Sequence, residues 1–399
     1  MVAASAAAWE SGRRLRLGMV GGGRGAFIGM VHRIAARLDD RYELVAGALS
    51  ADPDRSAASA ADLRLAPARA YADWREMAGA EAARPDAIDA VAIVTPNHLH
   101  VPAATAFLEA GIDVICDKPL SAKFDEALSL LATVRRTGRV CVVTYNNTGH
   151  AMVRHAREMV REGVLGALRL VQVEYAQGWL TEPIEAEGHK QATWRLDPAR
   201  AGLGGCIADI GTHAFNLAAY VTGLELREVC AELSRFVPGR ALDDNAAVLL
   251  RYQGGARGVL WASQVAPGND NALRLRIYGE RGGIEWAQER PDDLLVTLHG
   301  QAQRRLTRGG PETGAAAARA TRLPAGHPEG YPEAFATIYA DAAELILARR
   351  EGRPPDPAAT TVPGVVEGAV AMGFVAAVLA SAEGGGVWTR MPDLPAATT

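Results

Sequence analysis

From Leu15 to Tyr145 short apolar runs alternate with segments whose apolar residues recur at helical spacing. The runs are LRLGMV, ELVAGALS, DAVAIVT, IDVIC and RVCVVTY. Nearly continuous apolar strands separated by helices predict a parallel sheet covered on both faces, a doubly wound α/β arrangement. Beyond Tyr145 the rhythm changes to a helix around Met152 to Glu162, the alternating strand LRLVQVEYAQ, a loop, and a helical segment opening at Gly205. The runs AAVLLRY, ARGVLWASQ and LRLRIYGE, separated by turns such as Gln253-Gly254-Gly255, then predict an antiparallel meander. The segment from Arg304 to Ala320 has little periodicity and reads as an exposed loop or irregular hairpin. The stretch from Pro363 to Ala382 holds Glu367 and several glycines and reads as a buried helix rather than a membrane span.

At 399 residues the chain exceeds what one core usually supports, so two domains are expected: 15–145, and 146–399 as an α+β domain with a largely antiparallel open sheet. MVAASAAAWESGRR, residues 1–14, reads as a flexible tail, because Glu10 and the Arg13-Arg14 pair leave no apolar export core. Hydrophobic residues at 49% and charged residues at 22% exclude a disordered or fibrous class. A formal charge of -4 gives no basic excess for a nucleic-acid backbone or an anionic membrane, which leaves a small molecule as the expected partner. Cys116, Cys141, Cys206 and Cys230 form no C-x-x-C pair, which fits a reducing cytoplasm.

The first run ends in VGGGRGAF, where Gly21, Gly23 and Ala26 match G-x-G-x-x-(G/A) directly before a helical segment. In a Rossmann-type nucleotide site the first glycine permits the tight turn, and the second lets backbone approach the pyrophosphate. The small third residue lets the helix pack closely. Such a run can also serve only as a turn; its place between the first strand and first helix favours the nucleotide reading. The acid expected at the end of the second strand is missing, and Ser50 stands there. Asp52 can substitute for it, giving NAD, whereas Ser50 with Arg55 can accept a 2′-phosphate, giving NADP; Asp52-Pro53 can also simply start the next helix.

With VGGGRGA, TPNHLH (95–100), AGIDVICDKPL (110–120) and GGCIADIGTHAFN (204–216), the chain resembles the Gfo/Idh/MocA oxidoreductase family. The family's Glu-Lys-Pro motif stands here as Asp117-Lys118-Pro119, with the acid shortened by one methylene. The resemblance implies a catalytic group of Lys118, Asp209 and His213, with Pro119 cis. It implies a cofactor site that includes Arg24 and Phe27 of the glycine loop, Thr95, Pro96, Asn97 and His100 after the third strand, and Asp117. Trp194-Arg195 resembles the segment lining the nicotinamide end. Asn146 and His327, in GHPEGYPEAF, are expected near the substrate.

On their spacing alone, Asp209 and His213 would share one face of a helix, so that His213 could take a hydroxyl proton while an ionised Asp209 orients it. The expected activity is reversible hydride transfer between a secondary alcohol of a sugar, anhydrosugar or cyclitol and NAD or NADP, with a lean towards NAD and no metal. A levoglucosan-type or glycoside 3-dehydrogenase is a plausible specific version. Two alternatives are an NAD-dependent glycoside hydrolase that oxidises its sugar transiently and a non-catalytic nucleotide-binding regulator. By analogy with relatives a homo-oligomer, dimer or tetramer, is expected.

Overall fold

The computed structural model describes residues 13–396. Of the expected tail, residues 1–12 lie outside them, while Arg13 and Arg14 are ion-paired to Asp89 and Asp40 at 2.7 and 2.6 Å.

The first half alternates as the apolar runs predict: β1 (Leu15–Gly21), α1 (Phe27–Leu38), β2 (Tyr42–Ala48), α2 (Pro53–Asp62), α3 (Trp74–Ala82), β3 (Ala90–Val94), α4 (His100–Glu109), β4 (Asp113–Cys116), α5 (Phe124–Thr137) and β5 (Cys141–Val143). The strands are parallel in the order β2-β1-β3-β4-β5. The winding reverses between β1 and β3, so their carboxyl ends frame the crevice where ligands bind in open α/β sheets.

The second half contains α6 (Ala151–Arg161), β6 (Leu168–Ala176), the short helices α7 (Lys190–Arg195) and α8 (Pro198–Ala201), then α9 (Thr212–Thr222). Strands β7 (Leu226–Ser234), β8 (Asn245–Tyr252), β9 (Arg257–Ser263), β10 (Ala272–Gly279), β11 (Gly282–Ala287), β12 (Asp293–Leu298) and β13 (Arg304–Thr307) follow. After them come α10 (Ala315–Arg319), α11 (Tyr331–Glu351), α12 (Val365–Glu383) and β14 (Thr389–Arg390). The sheet order is β13-β12-β11-β10-β6-β9-β8-β7-β14.

The predicted meander is therefore interrupted. β6 inserts between β9 and β10, antiparallel to β10 and parallel to β9. Long-range pairing, to which local periodicity is blind, sets this order. The stretch expected as loop or hairpin makes β13 and then α10, because four consecutive alanines favour helix and Ala317 and Ala320 pack on Ala151.

One face of the second sheet is packed by helices. The other exposes Leu170, Leu249, Val259 and Tyr278, which register places on neighbouring strands. The last two long helices return to the first half. Phe335, Ile338, Tyr339, Ala342 and Ile346 of α11 join Leu17, Met19, Ala92 and Ile115 in one core on a face of the first sheet. The apolar α12 is mostly buried, packed on α5 and on β7, with Phe374 stacked on Phe215 of α9 at 4.4 Å.

Candidate active site

The glycine loop leaves β1 through Gly21, whose φ of +79° is a left-handed conformation that side chains resist. A Cβ there would stand 2.7 Å from the carbonyl oxygen of Val94 and 3.1 Å from the methyl of Thr95, so the ends of β1 and β3 touch through this residue. Gly23 acts otherwise than the motif suggests. Its N–H donates to the Leu49 carbonyl at 3.1 Å, and the space for a Cβ is taken by Leu49 O and Ser59 Oγ, so it seats the loop on the β2–α2 connection. Ala26 is the N-cap of α1, without a side-chain cap, and close packing falls to Gly29, where a Cβ would meet Gly22 Cα at 2.4 Å. A bare turn feeding an uncapped twelve-residue helix fits a dinucleotide phosphate, because the first-turn N–H groups and the positive end of the helix dipole stay available.

Around this loop several candidate residues already have partners. Arg24 forms a bidentate pair with Asp62 at 2.6 and 2.7 Å, and Phe27 is exposed. Asp52 caps α2 by accepting from Arg55 N–H at 2.9 Å, and Ser50 Oγ accepts from Asp52 N–H at 3.2 Å, while the Arg55 side chain is exposed. Pro96 leads into the turn at Asn97, whose amide donates to Ala201 O at 2.9 Å. Both ring nitrogens of the buried His100 sit on backbone carbonyls, Pro119 O at 2.7 Å and Thr95 O at 2.8 Å, which ties the end of β3 to the Lys118-Pro119 turn.

That turn carries a cis Lys118-Pro119 bond. Asp117 accepts from the Lys118 N–H and the Thr144 hydroxyl, each at 2.9 Å, and lies 3.9 Å from His32, which also contacts Tyr339 OH at 2.9 Å. Burial would raise its pKa, but His32 and Lys118 overcome that and hold the carboxyl well below its ordinary range. The shortened acid thus stays ionised beneath the lysine.

Lys118 Nζ reaches across to the second half and donates to the carbonyl of Asp209 at 2.8 Å and to its carboxylate at 2.9 Å. The other carboxylate oxygen accepts from Gln264 Nε2 at 3.0 Å and pairs with Arg195 Nε at 3.3 Å. These cations outweigh burial and keep Asp209 ionised. Asp209 lies in a π-helical turn, Ile207–Gly211, that precedes α9, so the α-helical spacing expected between Asp209 and His213 does not apply. The imidazole partner is Asn147, whose amide lies 3.3 Å from His213 Nδ1, with the rings of Tyr145 and Tyr175 each 6.0 Å away. Burial first, then Lys118, pushes the His213 pKa down to about 3.

The cleft thus gathers Lys118, Asp209, His213 and Arg195, with Trp194 under the Arg195 guanidinium at 4.3 Å. Asn146, next to Asn147 in the chain, is buried, its amide nitrogen without a partner among the described residues. His327 is exposed, its carbonyl held by Arg308, and is not brought to this group. Four residues on, Tyr331 opens α11, 37% exposed with its ring 5.0 Å from that of Phe335, on the same side as Asp117 and Asp209, whose charges bear on its hydroxyl. Asn147, Gln264, Tyr175 and Tyr331 were missed. Asn147 adjoins Asn146 and Tyr331 lies in the GHPEGYPEAF segment, whereas nothing local marks Gln264.

Residues 15–145 match the family described as "Oxidoreductase family, NAD-binding Rossmann fold", and residues 153–285 match "GFO/IDH/MocA C-terminal domain". The crystal structure of an oxidoreductase from Sinorhizobium meliloti is 50% identical, with a TM-score of 0.86, covering 94% of this chain and 99% of that one. An inositol dehydrogenase homolog from Azotobacter vinelandii, solved with NADH and myo-inositol, is 36% identical with a TM-score of 0.88, covering 95% and 98%. Levoglucosan dehydrogenase of Pseudarthrobacter phenanthrenivorans is 30% identical over 73% of this chain and 79% of its own length. With both domains matched in order around the lysine, aspartate and histidine of the cleft, the chain belongs to the Gfo/Idh/MocA oxidoreductase family.

Proposed function

We propose that this protein is a dehydrogenase for a secondary hydroxyl of a sugar, anhydrosugar or cyclitol, with NAD as the preferred cofactor. The observation that carries the reading is the Lys118–Asp209 pair joining the two halves of the chain beside a neutral His213. Residues 15–145 would hold the dinucleotide through the glycine loop and the turns after β3 and β4, and residues 146–399 the substrate. The bound nicotinamide supplies the hydride acceptor in oxidation.

The remaining chemistry belongs to the chain. The ammonium of Lys118, fixed by two acceptors on Asp209, has a third N–H for the substrate oxygen. His213, neutral at physiological pH, receives the hydroxyl proton. Asn147 Nδ2 is the amide atom that faces Nδ1; with the amide turned over, its oxygen accepts the Nδ1 proton and leaves Nε2 as the basic nitrogen. Arg195 and Gln264 keep Asp209 from turning away from Lys118.

The preference for NAD is supported by the relatives solved with NAD+ or NADH. A small-molecule carbohydrate or polyol substrate is supported by those solved with myo-inositol or levoglucosan. A homo-oligomer is supported by the apolar outer face at Leu170, Leu249, Val259 and Tyr278. The test is a panel of cyclitols, anhydrosugars and glycosides with NAD and NADP in parallel. Stoichiometric growth of reduced-nicotinamide absorbance with NAD is expected. Aglycone release without it would replace the reading by a hydrolase, and a strong NADP preference would overturn the cofactor assignment.

A further inference from the structure

Between β6 and α9 the chain crosses the crevice and fastens to the first half. Asn97 Nδ2 donates to Ala201 O at 2.9 Å, His98 Nδ1 lies 3.3 Å from Arg200 O, and Gly202 packs on the Ala122 carbonyl. Within this crossing α7 has one contact at each end: Lys190 Nζ lies 3.3 Å from Gly25 O in the glycine loop, and Arg195 lies 3.3 Å from the Asp209 carboxylate. Six helical residues set these ends about 7.5 Å apart along the axis.

Lys190 stands where a cation is least expected. A positive charge near a helix amino terminus opposes the dipole, and α1 begins two residues beyond Gly25 with no side-chain cap. The ammonium has three donors, and among the described residues no carboxylate lies within ion-pair distance of it. The only cation of the loop itself, Arg24, is turned aside into its bidentate pair with Asp62. A Cβ at Gly25 would meet nothing within 4 Å except Lys190 Nζ, at 3.6 Å. Two positive features face a bare main-chain turn, an arrangement that becomes favourable when an anion lies between them.

We infer that Lys190 is a pyrophosphate clamp, a dinucleotide-binding residue contributed by the second half of the chain, and that α7 links phosphate binding to the seating of Arg195 on Asp209. This deepens the reading of the glycine loop as the dinucleotide site and rests on it. When the phosphate is bound, the ammonium exchanges its single carbonyl contact for charge-assisted hydrogen bonds, and the crossing segment is pinned at both ends.

The test is calorimetric titration of ADP-ribose, which keeps the pyrophosphate and lacks the nicotinamide, into the wild type and into K190A, K190Q and K190E. Affinity should fall roughly tenfold in K190A and K190Q and further in K190E. The gap between wild type and K190A should shrink as salt is raised from about 0.05 M to about 0.5 M. Unchanged melting of the ligand-free variants would assign the loss to the clamp. ADP-ribose binding by K190A within about twofold of wild type at low salt would overturn the clamp while leaving the dinucleotide site intact. A wild type that melts cooperatively but binds neither ADP-ribose nor NADH would overturn both.

Discussion

The two halves of the cleft are made of different material. On the side of the first sheet, the wall of the cleft is main chain: a left-handed Gly21, the uncapped start of α1, and carbonyls contacted by His100, while Arg24, Asp52 and Asn97 have their side chains paired within the chain. On the side of the second sheet it is built from side chains, with Asp209, His213, Arg195 and Gln264 meeting Lys118. A main-chain site is damaged by adding a Cβ and hardly touched by trimming its exposed side chains. A side-chain site behaves the opposite way.

The largest expected effect separates the halves directly. K118A should lower kcat on the order of 10² to 10⁴ and change NADH affinity less than about threefold; binding lost in proportion to turnover would erase the distinction. Acid should act next. His150 and His213, both in the second half, have native pKa values near 4 and 3 against an ordinary 6.5, so between those values the unfolded chain binds more protons and stability rises with pH. Going from about pH 7 to about pH 5 should cost up to about 2 kcal/mol per histidine, read as a lower urea midpoint; a flat profile would mean that these rings are not held neutral.

G21A should weaken NADH binding roughly tenfold, since a left-handed alanine costs about 1–2 kcal/mol and its Cβ would press on Val94 O; unaltered affinity would show that the turn is not what holds phosphate. The smallest effect is expected from D52A, about 1 kcal/mol in stability through loss of the α2 cap, with the ratio of NAD to NADP activity unchanged. A shifted ratio would extend side-chain recognition to the first half.

What was legible in the sequence divides along a similar line. β1 to β5 were read within a few residues because each is a local apolar run, and VGGGRGAF marked the turn between β1 and α1, although Gly23 seats it on Leu49 and Gly29, not Ala26, makes the close packing. The residues Lys118, Asp209 and His213 came through resemblance, but not their arrangement: helical spacing paired Asp209 with His213, and a π-helical turn gave the aspartate to Lys118 and the histidine to Asn147. Gln264 reaches Asp209 from the end of β9, and no pattern within its own segment reports a neighbour so distant in sequence. The insertion of β6 between β9 and β10 was hidden for the same reason.

The seating of α11 on the first sheet has a consequence for modularity. A chain ended before Tyr331 would leave the face formed by Leu17, Met19, Ala92 and Ile115 open to water. The first sheet thus completes its core with a helix that lies far beyond β5 in the chain. The point near residue 145 where strands change partners is a seam between the two sheets but not in the core, which α11 carries across it.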